Sequence, residues 1–438
     1  MRFIASTLRL LLSMTLIPIS MGLGGCMVGP DFKKPAAPDV KSYTSTPLAK
    51  TTVSTPEAAN AGKAQQFNIG QDIPGEWWTL FQSPALDQLI KTGMDNSPNL
   101  AAAMATLKQA QEDLNAQIES TMYPSVNGQL TRQRQRVPSI TANSVVTTPR
   151  EFNLYNASVN VSYTLDVFGG NRRLIEAARA QVDYELFQLQ AAYLTLTSNI
   201  VTTAIAAASL QAQIEATDEL ITAHQQQLKI VERQFQLGGV SQADVLSQET
   251  QLAQTQATLP PLQTSLEQAR NALAVLVGKF PGNTNIPDFK LASLKLPLQL
   301  PVSLPSNLVE QRPDIRAAEA LLHEACAQVG VATANLFPQV TLSGAFGYTA
   351  NNPGHLFTTP ANLWNYAAGL TQPIFNAGAL QSQRKAAIAA FDQAYAQYQQ
   401  TVLTAFQNVA DTLRALSNDA RTLQAQKKAE VAAKKSLS

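Results

Sequence analysis

A chain of 438 residues with a formal net charge of +1 and 14% charged residues makes no bulk electrostatic demand for nucleic acid or for a strongly acidic partner. Ala, Gln, Leu, Ser and Thr dominate its long middle segments, a composition suited to long helices that pack through small side chains.

The first 25 residues carry Arg2 and Arg9, then an apolar run from Leu10 to Leu23 that is too short for a transmembrane helix and reads as a signal peptide. It ends Leu23-Gly24-Gly25-Cys26, the pattern of a bacterial lipoprotein signal, so Cys26 is the expected lipidation site. A signal peptide cut elsewhere beside an incidental cysteine is the alternative. The other cysteine, Cys326, reads as a small core residue.

Residues 26–75 are rich in Pro, Thr, Ser, Ala and Lys and read as a lipidated extended tether. Glu76-Trp77-Trp78-Thr79-Leu80-Phe81 opens a first repeat, 76–279, and Ser83-Pro84 signals a helix start. Strands are expected at about 125–136 and 154–168. A long helix over 171–237 lacks proline and glycine, and its apolar residues recur at steps of three and four from Leu186 to Phe235. At 1.5 Å per residue such a helix reaches about 100 Å. A tip at 238–241 leads into a return helix, 242–277, that Pro260-Pro261 is expected to break.

Residues 280–311 form a proline-rich linker, and 312–438 a second repeat with strands at about 339–350 and 363–375 and a long helix from 379. The duplication is explicit: Ser97-Pro98-Asn99-Leu100 recurs as Arg312-Pro313-Asp314-Ile315, offset by 215, and Tyr123-Pro124-Ser125-Val126 as Phe337-Pro338-Gln339-Val340, offset by 214. A third match, Val167-Phe168-Gly169-Gly170 with Ile374-Phe375-Asn376-Ala377-Gly378, calls for a loop seven residues shorter in the second copy. The second repeat stops before a tip and return helix of its own, which predicts a C-terminal truncation or partial gene product.

The strand segments alternate. Tyr155, Ala157, Val159, Val161, Tyr163 and Leu165 share one parity, against Asn156, Ser158, Asn160, Ser162 and Thr164 on the other, as a membrane barrel or a half-buried soluble sheet requires. The smallest closed membrane barrel has about eight strands, so four per chain must be pooled among copies. Arg132, Arg134 and Arg136 continue the apolar parity of the first strand; they read as a solvated rim or as a contact for lipopolysaccharide phosphates. Catalytic and cofactor motifs are missing: His323-Glu324 is followed by Ala327 where a zinc-protease helix needs a second histidine, and neither a metal site nor a phosphate loop is expected.

Cys26-Met27-Val28-Gly29-Pro30-Asp31-Phe32, Trp77-Trp78-Thr79-Leu80-Phe81, Arg312-Pro313-Asp314-Ile315 and the segment Arg233 to Leu246 together resemble the outer membrane efflux protein family, the TolC- and OprM-like exit ducts, in its lipoprotein branch. The resemblance implies a mainly α fold with a small membrane β part, in which four strands per chain join a trimeric twelve-stranded barrel over a long helical tunnel. It implies a homotrimer in the cell outer membrane, lipid-anchored, with the tunnel in the periplasm and no catalytic step or cofactor. The partners it implies are a periplasmic adaptor, an inner-membrane pump and outer-membrane lipid, with small toxic compounds or drugs as cargo. Gly238, Gly239, Val240 and Ser241, an ordinary connecting turn as residues, are implied to be the adaptor-docking tip. Asp244, equally a solvated helix-start charge, is similar to the family's iris acid. A protein-secretion duct on the same fold and a non-pore structural periplasmic lipoprotein are the rival readings.

Overall fold

The computed structural model describes residues 27–437 apart from 138–139, 142–143, 146–149 and 284, and they fall into two compact units. The strands are β1 (Gln66–Ile69), β2 (Ser125–Val137), β3 (Ile140–Thr141), β4 (Ser144–Val145), β5 (Arg150–Leu165), β6 (Gln299–Val302), β7 (Gln339–Ala350) and β8 (Asn362–Thr371). The α-helices are α1 (Pro84–Asn96), α2 (Pro98–Met122), α3 (Gly170–Gln236), α4 (Gln242–Leu276), α5 (Pro305–Gln311), α6 (Pro313–Ala334) and α7 (Ala379–Leu437).

The first unit comprises 27–35, 107–185 and 317–400 and contains an antiparallel sheet in the order β2-β5-β7-β8. Each repeat supplies one hairpin, and the β5·β7 pair joins the two hairpins. β8 stops at Thr371, short of the expected 375, because its ladder partner β7 begins only at Gln339, behind Pro338. The structure also revises the repeat alignment. Gly169 (φ +79°) and Gly378 (φ +83°) each sit just before a long helix, and their carbonyls accept the N–H groups of Arg173 and Ser382 at 2.9 and 3.0 Å. Both need the left-handed backbone that glycine adopts without strain. The offset there is 209, so the second copy is shorter by five residues, not seven; the match on Phe168 and Phe375 had slid across this cap.

The second unit comprises 36–106, 186–316 and 401–437. Leu86, Ile90, Leu100, Ile200, Val201, Ala204, Ala208 and Leu273 form its main buried cluster, with Trp77, Trp78 and Phe81 packed against it. α3 is long and apolar enough by composition to cross a membrane, yet its apolar stretch around Ile200 is spent on this core. The segment read as an extended tether contains structure the sequence did not advertise. β1 pairs in parallel with β6 of the proline-rich linker, and Phe67 and Val302 are buried with Leu413 of α7. On α7, Leu413 is buried while its neighbour Thr412 is exposed.

Pro260-Pro261 does not break the return helix. α4 is continuous through both prolines. Each proline removes one i→i−4 hydrogen bond, from the carbonyls of Gln256 and Ala257. Both of those residues are exposed, so water can satisfy what the backbone cannot.

Candidate functional site

The sheet carries two chemically distinct faces, and its register shows that they are continuous across all four strands. Directly opposed residues share a face. One row runs Val126↔Val161↔Gly344↔Tyr366 and the next Gly128↔Val159↔Phe346↔Trp364, while the intervening row runs Asn127↔Asn160↔Ala345↔Asn365. The row beyond it is Ser125↔Ser162↔Ser343↔Ala367. Polar and apolar side chains are thus sorted to opposite faces, and the apolar face is bare: Trp364 is 66% exposed, Tyr366 82% and Leu130 76%. A sheet of this kind cannot rest in water on its apolar side, and β2 and β8 also present open edges among the described residues.

Gly347 is required by the close approach of the neighbouring strand. A Cβ there would lie 2.4 Å from the Ala157 carbonyl oxygen and 2.6 Å from the Ser158 Cα on the neighbouring strand. Arg132, Arg134 and Arg136 are brought together on one face of β2 and find partners on β5. Arg134 donates to Glu151 at 3.1 Å, Arg136 approaches the same carboxylate at 4.0 Å, and the Arg132 guanidinium lies 5.8 Å from the centre of the Tyr155 ring.

Cys26 lies outside the described residues, but the residues that follow it are held by a cluster the sequence did not reveal. The Val28 amide donates to the Phe168 carbonyl at 3.1 Å, and Met27 sits against Gly169. Arg173, 1% exposed, donates to the carbonyls of Val28 and Gly29, to Asp31 at 2.7 Å and to Glu176 at 2.7 Å. Burial works against the Arg173 charge, and the hydrogen bonds it donates to Asp31 and Glu176 outweigh it, so its pKa rises. Glu176 also meets His323 at 2.9 Å, and the His323 ring stacks on Phe32 with centroids 4.3 Å apart. Cys326 is buried and donates to the Pro30 carbonyl at 3.7 Å; burial first, and then the Glu176 charge, push its thiol pKa up. A positive φ of 90° at Gly29 and its contact with Gly330 complete the seat. The only sequence signal for this cluster was a charged residue, Arg173, near the start of a long helix, which propensity alone cannot distinguish from a solvated one.

The tip residues are contiguous. Gly238 has φ +80° and open space around its α-carbon. Ser241 and Asp244 form a reciprocal capping box at the start of α4: the Ser241 hydroxyl accepts from the Asp244 amide at 3.3 Å, and the Asp244 carboxylate accepts from the Ser241 amide at 2.8 Å and its hydroxyl at 2.7 Å. The Ser241 hydroxyl, and then its amide, hold the Asp244 carboxyl below the ordinary carboxylate range. Past the tip, on α4, Gln248 meets the His224 ring of α3 at 3.3 Å, a polar link between the two helices.

Comparison with known proteins places these features. The model of the outer membrane efflux protein family matches residues 89–279 and 304–438. A probable efflux pump outer membrane protein, TtgC of Pseudomonas putida, is 31% identical over 92% of this chain and 80% of its own length. A probable outer membrane lipoprotein, SilC of Salmonella typhimurium, is 27% identical over 93% of this chain and 83% of its own. The solved outer-membrane channel OprN superposes with a TM-score of 0.78 at 26% identity, covering 91% of this chain and 84% of that one. A mainly helical chain with one amphipathic membrane sheet, matched at this length by sequence and by structure, belongs to the outer membrane efflux protein family and is a non-enzymatic efflux duct of the cell outer membrane.

Proposed function

We propose that three copies of this chain close a twelve-stranded barrel and pass small toxic organic compounds outward from a periplasmic adaptor and an inner-membrane pump. The observation that carries this reading is the sheet with one polar face, one bare apolar face and two open edges. A bilayer tolerates no open edge, so the strands must be pooled among copies, with the apolar rows toward lipid and the Asn and Ser rows toward a wetted lumen. Antibiotic and toluene efflux in the names of related outer membrane proteins supports organic compounds as cargo. The rest of the assembly follows from the same reading. Cys26 carries acyl chains that enter the inner leaflet, each buried methylene contributing about 0.8 kcal/mol. Gly238, Gly239, Val240 and Ser241 meet the adaptor, with Asp244 fixing the start of α4 behind them and charging the region of the iris. Arg132, Arg134 and Arg136 occupy the outer rim, where lipopolysaccharide phosphates are the natural anions.

Single-channel recording in planar bilayers, together with heat-sensitive trimer migration on gels, tests the duct. Drug susceptibility of a deletion strain complemented with the gene tests the cargo. A correctly assembled trimer that conducts no ions would refute the reading.

A further inference from the structure

We infer that β8 of one copy and β2 of the next pair antiparallel in one fixed register, with Leu370 opposite Leu130 and Thr371 opposite Gln129 of the neighbouring copy. The inference rests on the trimeric barrel proposed above and specifies which side chains close it.

The chain contains its own template for that junction. The hairpin β7·β8 repeats the hairpin β2·β5: Val126↔Val161 in the first corresponds to Val340↔Leu370 in the second. Residues of β2 therefore map onto β7 with an offset of 214, and residues of β5 onto β8 with an offset of 209. The second offset is the one the two helix-start glycines, Gly169 and Gly378, give independently. Within the chain, the two repeats are joined by β5·β7. Between copies, the equivalent junction is β8 on β2. Carrying Val161↔Gly344 across by the two offsets gives Leu370 opposite Leu130, and Ser162↔Ser343 gives Thr371 opposite Gln129.

Two features of the chain agree with the result. The first is parity: Leu370, Ala368, Tyr366 and Trp364 all lie on the apolar face of β8, and the derived register sets them against Leu130, Arg132, Arg134 and Arg136, which share the apolar face of β2. A slip by one residue would turn every apolar side chain of one edge toward the polar row of the other. The second is chemistry. Arg134 and Arg136 fall opposite Tyr366 and Trp364, whose rings are stacked on each other with centroids 5.9 Å apart and are otherwise bare. An Arg directly opposite an aromatic ring is the arrangement this sheet already uses at Arg132↔Tyr155. Continuing past the end of β8, the same register brings Ile374, 95% exposed in the single chain, opposite Val126.

Cysteine cross-linking of the full chain in outer membranes tests the register. In a Cys326→Ala background, Leu370→Cys is combined with Leu130→Cys, or, as a displaced control, with Gly128→Cys or Arg132→Cys. Thr371→Cys with Gln129→Cys repeats the test on the polar face in case an apolar-face variant fails to assemble. Directly opposed residues have Cα atoms about 4.5–5.5 Å apart and suit a disulfide, whereas diagonal ones are about 7–8 Å apart and do not. After oxidation with copper phenanthroline, the Leu370/Leu130 or Thr371/Gln129 pair is expected to form covalently linked trimers on heated non-reducing gels about tenfold faster than the displaced pairs. A displaced pair that cross-links best, or an intact heat-sensitive trimer in which no pair cross-links, overturns the register while leaving the trimer standing. Loss of every cross-link in wild-type-like chains that also form no trimer overturns both.

Discussion

Arg173, at the start of α3, donates to Asp31 at 2.7 Å across 142 residues of sequence, and does so from a side chain that is only 1% exposed. The pair fastens the segment that follows Cys26 to the base of a membrane strand hairpin. Because Asp31 is itself largely exposed, Arg173→Leu is expected to cost about 2–3 kcal/mol locally, less than the loss of a partner from a fully buried pair. Limited proteolysis of the purified protein checks this: cleavage within 27–45 is expected to rise steeply in Arg173→Leu, while the rest of the chain keeps its fragment pattern.

Gly347 and Gly128 belong to the same sheet but answer differently to a methyl group. Gly347→Ala places a Cβ 2.4 Å from the Ala157 carbonyl oxygen, a backbone atom that cannot swing aside, whereas nothing lies within 4 Å of the Cβ position at Gly128. Gly347→Ala is therefore expected to lower the melting temperature of the trimer by several degrees, corresponding to roughly 1–3 kcal/mol of overpacking. Gly128→Ala is expected to leave it unchanged. Gel migration after graded heating reads both.

The capping box makes the first turn of α4 sensitive to pH. The Asp244 carboxyl titrates below its ordinary range in the folded chain, so the stability it contributes is present above that range and is lost as pH falls through the folded value. Hydrogen exchange at 242–246 is expected to accelerate on acidification. In Ser241→Ala, which removes the hydroxyl partner at a cost of about 1 kcal/mol, the acceleration is expected to begin at higher pH.

Substituting Pro260 and Pro261 by alanine restores two backbone donors to a helix that is already continuous. Proline is about 3 kcal/mol worse than alanine inside a helix, partly offset by the freedom alanine gives the unfolded chain. The double variant is expected to be more stable by about 1–3 kcal/mol and to slow hydrogen exchange across 256–265.

Residues 186–214 of α3 announced themselves through their spacing, because burial of Leu196, Ile200, Ala207 and Ile214 on one stripe is a local property of the sequence. The strand faces were equally legible, since a period of two survives whatever the strand pairs with. What escaped was set by distant partners. Arg173 is a clamp only because Val28, Gly29 and Asp31 return to it, and β1 is a strand only because β6 lies beside it. The proline pair misled for a related reason: the penalty is real, but solvent at Gln256 and Ala257 absorbs it. The seven-residue loop difference came from aligning phenylalanines, where the backbone had aligned glycines.

The face that carries Trp364 and Tyr366 also has a consequence for the life of the protein before assembly. A newly exported copy crosses the periplasm with an oily ribbon uncovered and both of its borders ready to accept any extended strand. Its survival is a race between meeting its siblings and mispairing with strangers, and the local supply of fresh copies decides the winner.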